Sequence, residues 1–167
     1  ASLARLGTDY LDMYHIHGPD PHTPLEETLD AMNRLIDQGK IRYAACSNLH
    51  AWQVVLSAMK AAEAGLVGFS ACQMLYNLIA RDVEEEILPA CAELGMGVTC
   101  WSPLGAGMLT GRYTRDRRPE DGTRLKQSTA YSVTKYWTPR NFEVLDKLDT
   151  VAEQSGRTHA QVALAWV

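Results

Sequence analysis

Four short apolar runs of this sequence each end in polar or amphipathic side chains that could act together in chemistry. His17 ends the first run, Ser47 and Asn48 end the second, Gln73 lies in the third, and Trp101 with Ser102 ends the fourth. In a parallel α/β barrel the carboxyl ends of the strands deliver their side chains to one active-site mouth. Ser47, Asn48 and Gln73 offer hydroxyl, carbonyl and amide groups but no strong base. This inventory matches a neutral ligand group that carries both a donor and an acceptor, such as a carboxamide.

The fourth run suggests a second part of the same ligand. Trp101 supplies a flat aromatic face, and the turn Ser102-Pro-Leu-Gly105 that follows it offers backbone N–H groups. A planar ring stacked on the indole and a phosphate held by the turn would use both features. The alternative interpretation of Trp101 is an aromatic residue of the core. The sequence contains neither GxGxxG nor GxxxxGK[ST], so any nucleotide would be bound at a barrel rim.

Two histidines raise a competing hypothesis. His15 and His17 are two residues apart and share one face of a strand, where they could hold zinc in a metal-dependent hydrolase. The later strand ends offer no further histidine or carboxylate, so we expect no metal site and expect His15 to be packed or hydrogen-bonded. The cysteines Cys46, Cys72, Cys91 and Cys100 show no CxxC spacing and are expected to be reduced, mostly buried residues.

Strands and helices are predicted to alternate along the chain. The strand-like runs span residues 9–17, 41–47, 70–74 and 97–101. Thr23, Pro24 and Glu26 predict a capping box at the start of the first intervening helix, with proline at its first position. The buried faces expected for the three intervening helices are Leu25, Leu29, Met32 and Ile36; then Trp52, Val55, Leu56 and Met59; then Ile87, Leu88, Cys91 and Leu94. Further helices are predicted over 141–155 and from a cap at Thr158 onwards.

This alternation predicts βαβ units and a parallel sheet covered on both faces. A doubly wound sheet and a section of an eight-stranded barrel both fit, and the strand spacing is close to the roughly 31 residues per unit of a full barrel. Because the sequence begins and ends in helix-like segments, we expect residues 1–167 to be one partial barrel domain. The segment from Gly105 to Pro139 shows no period and is expected to be a functional loop.

Charge and hydropathy exclude some partners. The chain has 16 basic and 20 acidic residues, a formal net charge of −4, and 46% hydrophobic residues. The densest basic cluster is only 115–118, so we expect no nucleic-acid partner. No apolar run approaches the ~20 residues of a membrane span, so we expect a soluble protein of the cytoplasm with no membrane partner.

The motifs resemble those of the aldo-keto reductases, most closely the bacterial branch related to the potassium-channel β subunits. The resemblance covers nearly the whole chain and includes the segments 5–20, 39–48, 73–77, 101–113 and 158–167. These proteins are (β/α)8 TIM barrels that use NADPH, less often NADH, to reduce aldehydes and ketones. The resemblance implies that this chain supplies about the fourth to seventh barrel strands, and that a small carbonyl compound is the substrate.

Residue roles follow from the resemblance by position. His17 is similar to the catalytic histidine that polarises the substrate carbonyl; Ser47, Asn48 and Gln73 would hold the nicotinamide carboxamide, and Trp101 would stack on its ring. The cofactor phosphates would be met by Ser102, Pro103, Leu104, Gly105, Ala106, Arg112 and Arg124. The family's catalytic aspartate, tyrosine and lysine would precede Ala1, and Thr134-Lys-Tyr136 is not that lysine motif. An alternative is a non-catalytic module that binds cofactor or self-associates through open sheet edges.

Overall fold

A computed structural model describes residues 1–127 and 136–167, so Thr134 and Lys135 lie outside the described residues. The chain divides into two compact units: the first comprises Ala1–Met74 and Val83–Thr99, and the second comprises Leu75–Asp82 and Cys100–Val167. The strands are β1 (Leu11–Ile16), β2 (Ile41–Ser47), β3 (Ala71–Leu75) and β4 (Gly97–Trp101). The helices are α1 (Ser2–Leu6), α2 (Leu25–Asp37), α3 (Ala51–Ala64), α4 (Ile87–Glu93), α5 (Arg124–Gln127), α6 (Pro139–Ser155) and α7 (His159–Trp166). Short 3₁₀ helices span Asp82–Glu84 and Gly105–Thr110.

The strands form one parallel sheet in the order β1-β2-β3-β4, which confirms the predicted α/β fold with its sequential crossovers. The register pairs Ile16 with Cys46, and it pairs Cys46 in turn with Cys72. One step further along the chain, Ser47 lies opposite Gln73. The register therefore places two of the predicted site residues side by side at the carboxyl end of the sheet.

The core of the first unit lies between the sheet and its helices. Leu29 and Met32 of α2 are buried as predicted, and Asn33 joins them because its amide bonds the Leu29 and Val67 backbone. Cys46, Cys72 and Cys91 are buried free thiols, and Cys100 is half-buried, as the cysteine pattern predicts. Burial, the largest cause, raises the pKa of Cys91 to about 11. The Cys91 thiol is therefore protonated and packs as a small apolar side chain.

The predicted buried face of α3 is wrong. Trp52, Val55 and Met59 are exposed, and the helix instead buries Val54, Ser57 and Ala61. Small side chains allow the helix backbone to lie close to its neighbours, and a Cβ atom added at Gly68 would lie 3.5 Å from the Cβ atom of Ala61. The hydroxyl of Ser57 is satisfied within the helix by the Val54 carbonyl. Residue size, not hydrophobicity alone, sets which face of this helix packs.

The predicted start of α2 also differs. Thr23 does not cap the helix: its hydroxyl donates to Asp20 at 2.7 Å, and the helix begins at Leu25 with Pro24 at the cap position. The Asp20 carboxylate also accepts the His22 N–H at 2.9 Å, so Asp20 accepts both of these hydrogen bonds in the turn before the helix. The capping box predicted at Thr158 is confirmed, since the side chains of Thr158 and Gln161 bond each other's backbone N–H groups.

The second unit has its own apolar core, built from the 3₁₀ segment and the last three helices. Its fully buried side chains include Met108, Leu109 and Leu125, and Phe142 packs edge-on against Trp137 with ring centroids 4.9 Å apart. Trp101 is half-buried and packs against this core, so the core interpretation of that residue holds in part. Within the described ranges, no helix is both long and apolar enough to cross a membrane.

Gly111 ends the 3₁₀ segment at a position that tolerates no side chain. Its φ is +74°, and a Cβ atom there would lie 2.7 Å from Nδ1 of His159, whose other ring nitrogen contacts Asp149. We expect Gly111→Ala to lower the free energy of unfolding by more than the roughly 1–2 kcal/mol that a left-handed alanine costs, because His159 must also move.

Gly122→Ala is the matched control in the same unit, since Gly122 has a φ of +86° and no heavy atom within 4 Å. Urea unfolding of both variants separates backbone strain from the steric clash. Equal destabilisation by the two substitutions would contradict the role assigned to His159.

Candidate functional site

Hydrogen bonds join the strand ends of the first unit. The backbone N–H of Asn48 donates to the Gln73 carbonyl at 3.1 Å, and the Asn48 side-chain amide donates to the His17 carbonyl at 3.0 Å. Ser47 is buried beside Gln73, which is half-buried. The structure therefore brings together His17, Ser47, Asn48 and Gln73, as the sequence predicts for three neighbouring strand ends.

The two histidines of this region differ in exposure. The His17 side chain is exposed at the end of β1 and free to meet a ligand. His15 is half-buried, and its Nδ1 atom is buried without a hydrogen-bond partner in the described residues. Among the residues that the structure describes, no three histidine, cysteine or carboxylate side chains are grouped as metal ligands. The pair does not assemble a zinc site with any described neighbour.

Backbone strain marks the predicted site positions. In residues 1–127 and 136–167 the non-glycine residues with positive φ are Asn48 (57°), Ser102 (53°) and Ala106 (53°). Such conformations cost about 1–3 kcal/mol each and concentrate at binding and catalytic sites, although asparagine tolerates them best. All three are positions that the sequence analysis assigns to ligand binding.

The turn after β4 is held in this conformation by Asn77, which is fully buried in the second unit. Its amide donates to the Ser102 carbonyl at 2.9 Å, and its Oδ1 accepts the N–H groups of Ile79 and Ala80 at 3.0 Å each. No site role for Asn77 is predicted from the sequence. The contact spans 25 residues, so no local pattern reveals it.

We expect Asn77→Ala to lower the free energy of unfolding by about 1–3 kcal/mol, because it leaves buried backbone groups unpaired. Asn141→Ala is a control in the same unit, where the amide donates to the Tyr136 carbonyl. Both variants should lose stability on urea unfolding, but only Asn77→Ala should weaken binding of a phosphate-bearing ligand. An unchanged affinity in Asn77→Ala would show that the turn does not need this support.

Beside the turn lies a cavity of about 460 Å³, within the size range of small-molecule sites. It is lined by Ser102, Pro103, Leu104, Ala106, Gly107, Thr110, Arg112 and Arg124. Trp101 and Gly105 do not line it. Gly105 is buried, and a Cβ atom there would lie 3.1 Å from the Ile79 side chain. The role of this glycine is therefore to allow the close packing of the turn. Gly107 and Thr110 are lining residues that the sequence analysis did not single out.

Arg112 and Arg124 are the charged residues of this cavity. Both are exposed, and each is followed by a buried anchor, Tyr113 and Leu125 respectively. In the described part of the chain neither arginine forms an ion pair, whereas the nearby Arg115 is paired with Asp146 at 2.6 Å. Two uncompensated guanidinium groups beside a turn with strained backbone form a site suited to a phosphate.

Comparison with known proteins identifies the family of this chain. The profile of the Aldo/keto reductase family matches residues 1–167. A probable voltage-gated potassium channel subunit beta of Arabidopsis thaliana is 38% identical over 99% of this chain and 51% of its own length. An uncharacterized oxidoreductase of Bacillus subtilis is 34% identical, and the versiconal hemiacetal acetate reductase of Aspergillus parasiticus is 33% identical, each over 99% of this chain and 48% of its own length. The chain thus spans about half the length of these relatives.

Proposed function

Because the chain belongs to the aldo/keto reductase family, we propose that it forms part of an NADPH-dependent oxidoreductase that reduces aldehyde or ketone carbonyls to alcohols. The observation that supports this most is the location of the strained backbone. Asn48, Ser102 and Ala106 all lie where the family resemblance puts cofactor contacts. Strain retained at these positions is explained if they bind a ligand.

Taken separately, each unit offers groups that suit one part of a nicotinamide dinucleotide. In the first unit, Ser47, Asn48 and Gln73 can donate to and accept from a carboxamide, and the hydrogen bonds between the strand ends fix their spacing. In the second unit, Arg112, Arg124 and the turn 102–107 suit phosphate groups. When bound, NADPH supplies the hydride. The chain's own residues orient the ligand and exclude alternative poses.

His17 is the proposed catalytic residue of this chain. The Asn48 side-chain amide donates a hydrogen bond to the His17 backbone carbonyl, and this bond fixes the end of the strand from which the exposed imidazole ring projects. An imidazole N–H can donate to a carbonyl oxygen, orient it and stabilise the negative charge that develops there during reduction. We propose that the proton itself comes from a tyrosine, which the resemblance assigns, together with its lysine and aspartate partners, to residues outside this chain.

A turnover assay tests the proposal. The protein that contains this chain should oxidise NADPH, followed by the absorbance of the reduced nicotinamide, in proportion to added aldehyde or ketone. NADH should be the weaker donor if the arginines of the cavity contact the extra phosphate of NADPH. No turnover with either cofactor across a broad panel of aldehydes and ketones would contradict the proposal.

Self-association is the alternative that one observation favours. β1 and β4 are the outer strands of the described sheet. Met13 of β1 and Tyr43 of β2 are register partners, and both side chains are exposed. Open strands pair readily with other chains. Sedimentation of the isolated 167-residue chain tests this proposal: reversible oligomers would support it, and a monomer at all concentrations would contradict it.

A further inference from the structure

A second cavity lies in the first unit, and none of the residues assigned to the cofactor is among those that line it. It measures about 420 Å³ and is formed by the segment after β1 together with α2 and α3. The lining is Ile16, Gly18, Pro19, Asp20, Pro21, Thr23, Leu25, Thr28, Leu49, Trp52, Gln53 and Leu56. Apolar and aromatic walls with a few convergent polar groups are typical of small-molecule sites.

The aromatic wall of this cavity is unusually accessible. Trp52 is 64% exposed although it lies in a helix and lines a concave surface. The indole face is an apolar surface and also the best aromatic partner for a cation. Leu25, Leu49 and Leu56 continue the apolar wall around it.

Asp20 is the charged residue of the lining, and its carboxylate is fixed. Oδ1 accepts the His22 backbone N–H at 2.9 Å, and Oδ2 accepts the Thr23 hydroxyl at 2.7 Å. These two hydrogen bonds, the first being the stronger cause, hold the pKa of Asp20 below its ordinary value. Within the described residues no basic side chain lies within ion-pair distance of Asp20, although the charge of the nearby His22 side chain also contributes to its lowered pKa.

We propose that this cavity binds a small organic cation, namely a primary ammonium group carried on an aromatic or branched aliphatic body. The ammonium group donates to the fixed carboxylate of Asp20, and the body packs against Trp52 and the leucine side chains. A neutral ligand of the same shape would gain the apolar contact but not the charge-assisted hydrogen bond. An anion would be repelled by Asp20, so the cavity discriminates by charge.

The probe is 2-phenylethylamine, with 2-phenylethanol as its neutral counterpart of nearly the same shape. In calorimetric titration the amine should bind saturably and the alcohol about tenfold more weakly. In ¹H–¹⁵N spectra the amine should shift the Trp52 indole N–H and the backbone N–H groups of Gly18 and Gln53. Equal affinity for the two probes, or no saturable binding of the amine, would overturn the proposal.

Substitutions in the lining test which side chains bind the amine. Asp20→Asn keeps a side-chain oxygen for the His22 N–H and should weaken amine binding about tenfold without changing binding of the alcohol. Trp52→Ala should weaken amine binding about tenfold, and Trp52→Phe should restore part of it. Met59→Ala and Glu63→Gln, on the same helix but outside the lining, are the controls and should bind the amine as the unaltered protein does. Amine binding unaffected by Asp20→Asn would overturn the proposal.

Discussion

Replacing His17 with alanine is expected to lower kcat for carbonyl reduction by about 10²–10³-fold, the usual cost of removing one hydrogen-bond donor to a developing oxyanion. The side chain is exposed at the end of β1, and its backbone carbonyl is held by the Asn48 amide, so the substitution removes a catalytic group without opening the core. Stability should therefore stay within about 0.5 kcal/mol of the unaltered protein. Steady-state kinetics with one aldehyde substrate and a thermal unfolding scan give both quantities.

His22→Ala provides the matched control. His22 is also exposed, and its structural contribution is a backbone N–H that alanine retains. We expect kcat to be unchanged in this variant. If His17→Ala kept full kcat, or if both variants lost activity equally, the catalytic role proposed for His17 would be wrong.

The double substitution Arg112→Ala with Arg124→Ala is expected to reduce affinity for NADPH by about 100-fold, since each charge-assisted contact to phosphate is worth about tenfold or more. Both guanidinium groups line the 460 Å³ cavity, and in the part of the chain that the structure describes neither has a carboxylate partner. Their loss therefore removes binding charge without breaking an ion pair of the fold. Fluorescence titration of each single variant and of the double variant measures the effect.

Comparison of NADPH with NADH shows which phosphate the arginines contact. A loss confined to NADPH assigns them to the extra phosphate, and an equal loss for both cofactors assigns them to the pyrophosphate. Arg140→Ala is the control, because Arg140 is an exposed arginine at the start of α6, outside the cavity. Unchanged cofactor affinity in the double variant would remove this cavity from the proposed site.

Much of the sheet could be predicted from the sequence, because its strands are short apolar runs separated by strong helix signals. Predicted and observed strands differ by at most two residues at any boundary, and β2 spans 41–47 in both. The strand ends carrying His17, Ser47 and Gln73 could be placed together for the same reason, since parallel strands bring their carboxyl ends to one edge.

The errors arose where packing depends on size or on local competition. In α3 the large apolar residues Trp52 and Met59 predicted the buried face, but close packing selected Val54, Ser57 and Ala61. At the start of α2, Thr23 matches a capping pattern, yet its hydroxyl donates to Asp20 and the helix begins at Leu25 without a side-chain cap. Neither outcome follows from periodicity, because both depend on three-dimensional neighbours.

The turn after β4 could be predicted in position but not in conformation. Its ligand-binding role was inferred from Trp101 and the residues that follow, whereas its shape depends on a hydrogen bond from Asn77, 25 residues earlier. The positive φ of Ser102 and Ala106 likewise has no signature in residue type, since neither is glycine. Long-range contacts and strain were therefore visible only in the folded chain.

Isotope transfer tests the central claim most directly. The protein that contains this chain would be incubated with NADPH carrying deuterium at the transferable position of the nicotinamide, together with a reducible aldehyde. Mass spectrometry of the alcohol should then show one deuterium on the carbinol carbon, with much slower labelling in His17→Ala. Alcohol formed without deuterium, or no alcohol formed although NADPH binds, would contradict the assignment of this chain to a carbonyl-reducing site.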